Sequence, residues 1–247
     1  MTVMSRALLL VLVALVAACA SSESRRESAN VARVNTQLGI SYAQRGQFPT
    51  ALDKLKRALK ADDSQSNTHA AIAYVYQNLG DMALAEKHYR RALRIDKEEP
   101  SLNNNFAVFL CERGRGPEAE TYFLTAATNP QYATPEAAWS NAGRCLKDYD
   151  LDKAETYLRE ALKINPDAPD ALGQMAVVSF RKGDYLRTRA FLQRYNLAKQ
   201  STPELLSLAA LTEDALNNPE AAAAYRLRLK REFPESDEAV NNTPNSR

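Results

Sequence analysis

Few side chains in this 247-residue chain could do chemistry, and histidine and cysteine are the first to consider. His69 and His88 are far apart in the sequence, on a predicted A helix and a predicted B helix, and neither has a second ligand at the close helical spacing of a metal site. Each is therefore interpreted as a surface or inter-repeat polar residue. Gly114-Arg115-Gly116 lacks the strand and helix context of a phosphate-binding loop, and no nucleophile motif is present. The sequence predicts no catalytic residue, metal site, cofactor or small-molecule substrate; an enzyme with an unrecognised site is the alternative.

Cys19 follows an apolar N-terminal segment. Residues 7–18 are apolar without interruption, and Arg6 is the one charge before them. About a dozen apolar residues are too few for a membrane span of roughly 20, but they suit the core of a signal peptide. The sequence VAAC at residues 16–19 resembles a bacterial lipoprotein signal, in which cleavage leaves a lipidated cysteine. The alternative is ordinary secretion, with Cys19 as an accidental thiol.

The residues after Cys19 indicate where such a lipoprotein would be sorted. Ala20 and Ser21 follow it and no aspartate does, which resembles the outer-membrane sorting pattern. We expect a chain that is held at the periplasmic face of the outer membrane by the lipid on Cys19 and does not cross the membrane.

The rest of the chain repeats with a regular period. The segment Asn35–Ala58, NTQLGISYAQRGQFPTALDKLKRA, recurs at positions 69–92 and again at positions 103–126, with six landmark positions in register. This spacing matches the period of about 34 residues of the tetratricopeptide repeat (TPR), in which each repeat is one helical hairpin. The chain resembles that family, and we predict an all-α fold, a TPR superhelix of about six helical hairpins.

The predicted domain organisation follows from these patterns. Pro130 and Pro135 interrupt the period after the third repeat, because no helix continues through them. The polar tail is expected to lack order. The predicted divisions are a signal peptide (1–18), a lipidated tether (19–31), a TPR array (32–65, 66–99, 100–133, 136–168, 169–202 and 203–234) and a disordered tail (235–247).

Two segments make the resemblance more specific than the TPR family as a whole. The first is Leu102-Asn103-Asn104 with Phe109-Leu110-Cys111, and the second is Asn129-Pro130 with Thr134–Glu136 and Asn141–Cys145. With the lipoprotein signal and six repeats, they resemble the PilF/PilW family of type IV pilus biogenesis lipoproteins. The resemblance implies a pilotin, an outer-membrane lipoprotein that binds the pilus secretin and promotes its outer-membrane localisation and multimerisation. The alternative is a TPR lipoprotein scaffold that recruits peptidoglycan-modifying enzymes, which would share the repeats but not these segments.

Cys111 and Cys145 are predicted to form a disulfide. They are separated by one repeat period and lie near the ends of the A helices of adjacent repeats, and such helices pack side by side. In an oxidising compartment the pair can bond if the Cα atoms come within about 7 Å. Two buried free thiols, acting as small apolar residues, are the alternative.

Binding is the predicted activity, because stacked hairpins form a concave groove lined by their A helices. With 32 basic and 30 acidic residues the chain lacks the basic footprint of a nucleic-acid-binding protein. The groove is expected to hold an apolar segment of the secretin around Ile40 and Tyr74; the alternative for Tyr74 is a structural tyrosine shared between helices. The second, fifth, ninth and twelfth positions of each repeat supply the predicted groove residues Thr36, Ile40, Ala43, Asn67, Ala70, Tyr74, Gln77, Asn104 and Val108.

Overall fold

The computed structural model describes residues 25–197 and 199–241, and over these residues the regular secondary structure is helical. Within this part of the chain no helix is both long and apolar enough to cross a membrane. The predicted signal peptide and Cys19 lie outside the described residues. The helices are α1 (25–44), α2 (Phe48–Ala61), α3 (Ser66–Asn78), α4 (Met82–Ile95), α5 (Pro100–Glu112), α6 (Gly116–Ala127), α7 (Pro135–Leu146), α8 (Leu151–Ile164), α9 (Pro169–Arg181), α10 (Tyr185–Tyr195), α11 (Pro203–Ala215), α12 (Pro219–Glu232) and α13 (Asp237–Asn241).

Consecutive helices pair as six hairpins, from α1/α2 to α11/α12, and the short α13 follows them. The predicted all-α class and the number of hairpins are therefore confirmed. The chain divides into two compact units after Leu102. One buried cluster of the first unit contains Ala43, Ala51, Leu55, Ile72 and Val75, which α1, α2 and α3 contribute.

One buried cluster of the second unit lies in the last two hairpins. Leu172, Leu192, Leu206 and Leu229 lie in this cluster, with Tyr225 and Phe233 packed against it. A smaller cluster, in which Ala126, Ala127 and Ala138 are buried, lies where α6 meets α7.

Small side chains at one position of the A helix let the two helices of a hairpin approach closely. A Cβ atom built on Gly39 would lie 2.5 Å from Leu55 Cγ, and one on Gly143 would lie 2.5 Å from Leu158 Cγ. Because real Cβ atoms do not approach other atoms so closely, a larger residue would force the helices apart. Glycine therefore sets the helix spacing in the first and fourth hairpins.

The turns between A and B helices use glycine for a different reason. Gly80 ends α3 with φ of +83°, a left-handed conformation that L-residues other than glycine adopt at a cost. Asp81 follows and caps α4, because its side chain accepts a hydrogen bond from the Leu84 backbone N–H at 3.0 Å. The left-handed glycine recurs in three further turns, at Gly46, Gly114 and Gly183.

The structure shows helix in two segments that lie outside the predicted repeats. Helix α1 begins by residue 25, so residues 25–31 of the predicted tether are helical. This stretch lacks a 3.6-residue apolar period, but it also lacks proline and glycine and contains the good helix formers Arg, Glu and Ala.

The predicted disordered tail is wrong for Asp237–Asn241, which form α13. Ser236 Oγ accepts a hydrogen bond from the Ala239 N–H at 3.2 Å, and Ala239 is buried in the cluster that contains Leu229. One small apolar side chain and one capping hydroxyl group hold this turn on the last hairpin. A segment of five residues is too short to show a helical period in the sequence.

Candidate functional site

The A helices of the first two repeats, α1 and α3, lie side by side and carry the main candidate site. Thr36 Oγ1 on α1 lies 2.6 Å from Thr68 Oγ1 on α3, and it also donates to the Ala32 carbonyl oxygen at 2.9 Å. Both threonine side chains are buried. This hydroxyl pair therefore satisfies two polar groups inside the contact between the helices.

The groove prediction is wrong for Thr36 and Ala43, because both are only 5% exposed. Thr36 lies between α1 and α3, and Ala43 belongs to the core with Leu55 and Ile72. A fixed count along each repeat assigned these positions to the groove, but the count ignores the neighbouring A helix, which covers them. Neither side chain can contact a partner without local opening.

Other predicted groove residues of the first unit remain accessible. Tyr74 is 45% exposed, and its ring makes an edge contact with Phe48 on α2, with centroids 6.4 Å apart. Ile40, one turn beyond Thr36 on α1, is half-buried. Tyr74 is thus both a packing residue and an exposed one, so each interpretation made from the sequence describes part of its environment. We define the unit-one groove face as the accessible residues Ile40, Asn67, Ala70, Tyr74 and Gln77.

Gln77 is the member of this face whose polar group is already engaged. Its Oε1 atom accepts a hydrogen bond from the Tyr89 hydroxyl group at 3.2 Å. Asn67 is exposed, while Ala70 and Gln77 are half-buried. The face therefore offers an aromatic and an aliphatic anchor with amide groups beside them, the composition that suits an amphipathic segment.

In the second unit the structure brings together the two segments that narrowed the resemblance. Asn141 Nδ2 on α7 donates to Asn104 Oδ1 on α5 at 3.2 Å, and Arg144 Nη2 donates to Asn141 Oδ1 at 3.2 Å. Asn104 and Val108 are half-buried, and Arg144 is exposed. These amide and guanidinium groups can hydrogen-bond to a peptide backbone, but they form no catalytic arrangement.

Cys111 and Cys145 join α5 to α7 as a disulfide, with Cα atoms 5.6 Å apart. That separation lies within the range of about 4.4 to 6.8 Å that disulfides adopt. The bond lies beyond Asn104 on α5 and one helical turn beyond Asn141 on α7. The two A helices are thus joined at two levels, by an amide contact and by a covalent bond.

His69 and His88 contact each other, which the sequence did not predict. The two Nδ1 atoms lie 3.0 Å apart, and His69 Nε2 lies 3.1 Å from the Asp63 carbonyl oxygen. With both rings neutral, His69 Nε2–H donates to Asp63 and His88 Nδ1–H donates to His69 Nδ1. His69 is buried, and its contact with Asp63 joins the second repeat to the first predicted repeat (32–65), so His69 is an inter-repeat polar residue as expected. His88 is half-buried and contacts His69 within its own repeat.

The environment of this pair opposes protonation. Burial, followed by the charge of His69, lowers the pKa of His88 to about 4. Burial also lowers the pKa of His69, although the Asp63 carbonyl oxygen acts in the opposite direction. Within residues 25–197 and 199–241 no third histidine, cysteine or carboxylate joins a pair to complete a metal-binding group.

The comparisons with known proteins agree with this architecture. Residues 36–100 and 146–212 match tetratricopeptide-repeat families. The chain is 30% identical over 203 residues to the type IV pilus assembly protein PilF of Pseudomonas aeruginosa, and the match covers 81% of this chain and 80% of that protein.

Solved structures give the same result. The crystal structure of PilW, a widely conserved type IV pilus biogenesis factor, matches with a TM-score of 0.80 at 29% identity, over 85% of this chain and 97% of that one. The structure of P. aeruginosa PilF matches with a TM-score of 0.77 at 29% identity, over 88% and 97% of the two chains. The predicted TPR fold and the family resemblance are confirmed. The chain therefore belongs to the PilF/PilW family of tetratricopeptide-repeat proteins of type IV pilus biogenesis.

Proposed function

We propose that this chain acts in type IV pilus assembly as an outer-membrane lipoprotein that binds an apolar segment of the pilus secretin in the unit-one groove face. Binding there would promote the localisation of the secretin to the outer membrane and its multimerisation. The observation that carries the proposal is Tyr74, a large side chain that is 45% exposed on an A helix of a TPR protein of this family.

The chemistry of this face fits an apolar peptide better than an acidic one. The fifth and ninth positions of the first two repeats are Thr36, Ile40, Ala70 and Tyr74, where a carboxylate-binding TPR domain has cationic and amide groups. Burying a large apolar side chain stabilises a complex by roughly 1.5 to 3 kcal/mol. Tyrosine is also enriched among the residues that dominate interface energies, since its hydroxyl group can keep a hydrogen bond while its ring is buried.

The membrane attachment in this proposal rests on the N-terminal sequence. Residues 7–18 and Cys19 have the pattern of a lipoprotein signal, and α1 begins by residue 25. Lipidation at Cys19 would therefore hold the first two repeats, and with them the unit-one groove face, near the membrane surface.

The experiment replaces the two apolar anchors by charges. Ile40→Glu/Tyr74→Glu should abolish secretin multimers on gels and surface pili, because a buried charge without a partner is costly in the complex. The matched control is Leu186→Glu/Leu227→Glu, which places the same two charges at apolar side chains that are 67% and 68% exposed on α10 and α12. Normal multimers and pili in the double variant, with its helical circular dichroism unchanged, would rule out this site.

The alternative function, recruitment of peptidoglycan-modifying enzymes, is separated by a gene deletion. Under the proposal the deletion removes secretin multimers and pili. Intact multimers together with altered cell-wall crosslinking would instead favour the scaffold function.

A further inference from the structure

Helix α1 carries an exposed apolar stripe on the side that faces away from the core. Val31, Val34 and Leu38 are 44%, 42% and 44% exposed. Their spacing of three and four positions puts them on one side of the helix. We call these three residues the α1 outer stripe. The buried residues of the same helix, Ala32, Thr36, Gly39 and Ala43, occupy the opposite side.

The α1 outer stripe is distinct from the unit-one groove face. Ile40 follows Leu38 by two positions, and two residues turn an α-helix by about 200°. The side chain of Ile40 therefore points nearly opposite to that of Leu38. A ligand of the stripe and a ligand of the groove face can bind α1 at the same time.

Charged side chains lie on both sides of helix α1. Arg26 and Arg33 precede Ile40 by fourteen and seven positions and therefore lie on its side of the helix, whereas Glu27 precedes Val34 by seven positions and lies on the side of the stripe. Arg45 directly follows the C-terminal end of the helix. Arg25, Arg26 and Arg45 are all exposed. The stripe itself is apolar, and apolar side chains on one side of a helix can enter the acyl boundary of a membrane.

The position of the stripe in the chain also favours a membrane as its ligand. Arg25 comes soon after Cys19, and the short connection between them spans at most about 20 Å. Leu38 lies farther along α1, at a distance of about 20 Å from Arg25 at the helical rise per residue. A lipid on Cys19 therefore keeps the whole stripe within about 40 Å of the surface into which that lipid inserts, so that α1 can lie on it.

We propose that α1 binds the surface of the phospholipid leaflet through the α1 outer stripe. Ile40 then faces away from the bilayer, and the unit-one groove face stays accessible to a partner. The inference rests on the lipid anchor of the proposed function, but it does not require secretin binding.

The test uses the chain's single tryptophan, Trp139, which is replaced by phenylalanine so that a new tryptophan can report its own surroundings. The lipidated full-length protein carrying Trp139→Phe and Leu38→Trp is reconstituted in vesicles of phosphatidylethanolamine and phosphatidylglycerol with brominated acyl chains. Bromine quenches tryptophan only at short range. Quenching should be several-fold stronger at position 38 than in the control that carries Leu186→Trp on α10. Equal quenching at the two positions, or none at position 38, would overturn the inference.

Two further measurements identify other ligands of the stripe. Val34→Glu/Leu38→Glu should leave sedimentation in detergent unchanged and should not weaken secretin capture. A dimer that this variant dissociates, or a loss of secretin capture, would show that a second copy or the secretin covers the stripe and would refute membrane binding.

The anchor is checked separately by mass spectrometry of the mature N-terminus. A chain without lipid on Cys19 would overturn both the anchoring part of the proposed function and this inference. An unquenched tryptophan at position 38 in a lipidated protein would overturn this inference alone. The Ile40→Glu/Tyr74→Glu experiment would still test whether the unit-one groove face binds the secretin.

Discussion

The contact between His69 and His88 makes the second repeat sensitive to acid. Neutral imidazoles 3.0 Å apart can share one N–H as a hydrogen bond, whereas two imidazolium rings would repel each other. Asp63 contributes a carbonyl oxygen to His69, and the nearby Arg91 and Arg94 oppose a positive charge there. The folded state therefore favours the neutral pair.

This predicts a loss of stability between about pH 6.5 and 4. Both histidines have a lower pKa in the folded chain than in the unfolded chain, so in this window the unfolded state binds more protons. The contribution of the pair is fully present above pH 6.5 and is lost as the pH falls towards 4. Urea unfolding at several pH values should show this fall in the wild type and a much smaller one in His88→Gln.

An internal control comes from Glu155. Burial raises the pKa of this carboxyl, but hydrogen bonds from Lys182, Arg187 and Arg159 outweigh that effect and hold the pKa at about 2. Its contribution is lost only as the pH falls below about 4.5, so it does not explain a change near pH 6. If the free energy of unfolding fell equally with pH in the wild type and in His88→Gln, the role assigned to the His69–His88 pair would be contradicted.

At the scale of single residues, the sequence predicted local backbone better than exposure. Left-handed glycines at the turns can be predicted from the sequence, because a helix ending in glycine has a local signature. The burial of Thr36 and the contact between His69 and His88 could not be predicted in this way, because each depends on how one helix is placed against the next. Counting positions within a repeat gives the periodicity of a helix but not which side its neighbour covers.

At the scale of elements, the pair α5 and α7 is held by Cys111 and Cys145 as well as by Asn104 and Asn141. Oxidation closes a loop with a sequence separation of 34 residues. In the chain-entropy model a loop of this length stabilises the fold by roughly 3 to 4 kcal/mol, because the unfolded chain loses conformations.

This predicts that reduction lowers the free energy of unfolding by about 3 to 4 kcal/mol. Urea unfolding with and without dithiothreitol measures the change, and Cys111→Ser/Cys145→Ser provides a control that dithiothreitol should leave unaffected. Thiol titration of the denatured, unreduced protein should find neither cysteine free. Two titratable thiols besides any at Cys19 would show that the bond is not formed in the purified protein.

The helices that belong to the repeats could be predicted from the sequence. The helical segments outside the repeats could not. The six hairpins follow from a period that holds register over three units. Helix α13 and the first residues of α1 have no counterpart at that spacing, so composition alone suggested a disordered tail and a tether. Short polar segments of this kind fold when an existing surface, such as the cluster around Leu229, offers a contact.

Across the molecule, the helices of the described residues contact mainly their first and second neighbours along the chain. Stability in such an array is approximately a sum of repeat and neighbour terms. Leu55 in the first unit and Leu229 in the second are both fully buried, which allows a matched comparison.

We predict that Leu55→Ala and Leu229→Ala each destabilise the chain by roughly 2 to 5 kcal/mol but loosen different helices. Hydrogen exchange should accelerate in α2 and α3 for the first variant, and in α11 and α12 for the second. Equal acceleration throughout the described helices in either variant would mean that the array unfolds as one cooperative unit.

The repeat period determined the architecture but could not identify a partner, since every TPR array has such a groove. The resemblance to the pilus family was identified from residues that depart from the repeat pattern, such as Asn141–Cys145. The apolar chemistry of the groove face could be predicted from Ile40 and Tyr74, whereas the α1 outer stripe became evident only from the exposure of Val31, Val34 and Leu38.

The disulfide between Cys111 and Cys145 also determines how the chain carries mechanical load. A tension applied between a residue before Cys111 and one after Cys145 passes through the sulfur atoms, because the covalent path is shorter there. Helix α6 and the connection that contains Pro130 lie inside the closed loop and bear none of that force. The irregular junction between the third and fourth hairpins is therefore shielded from pulling, whichever end of the chain is held.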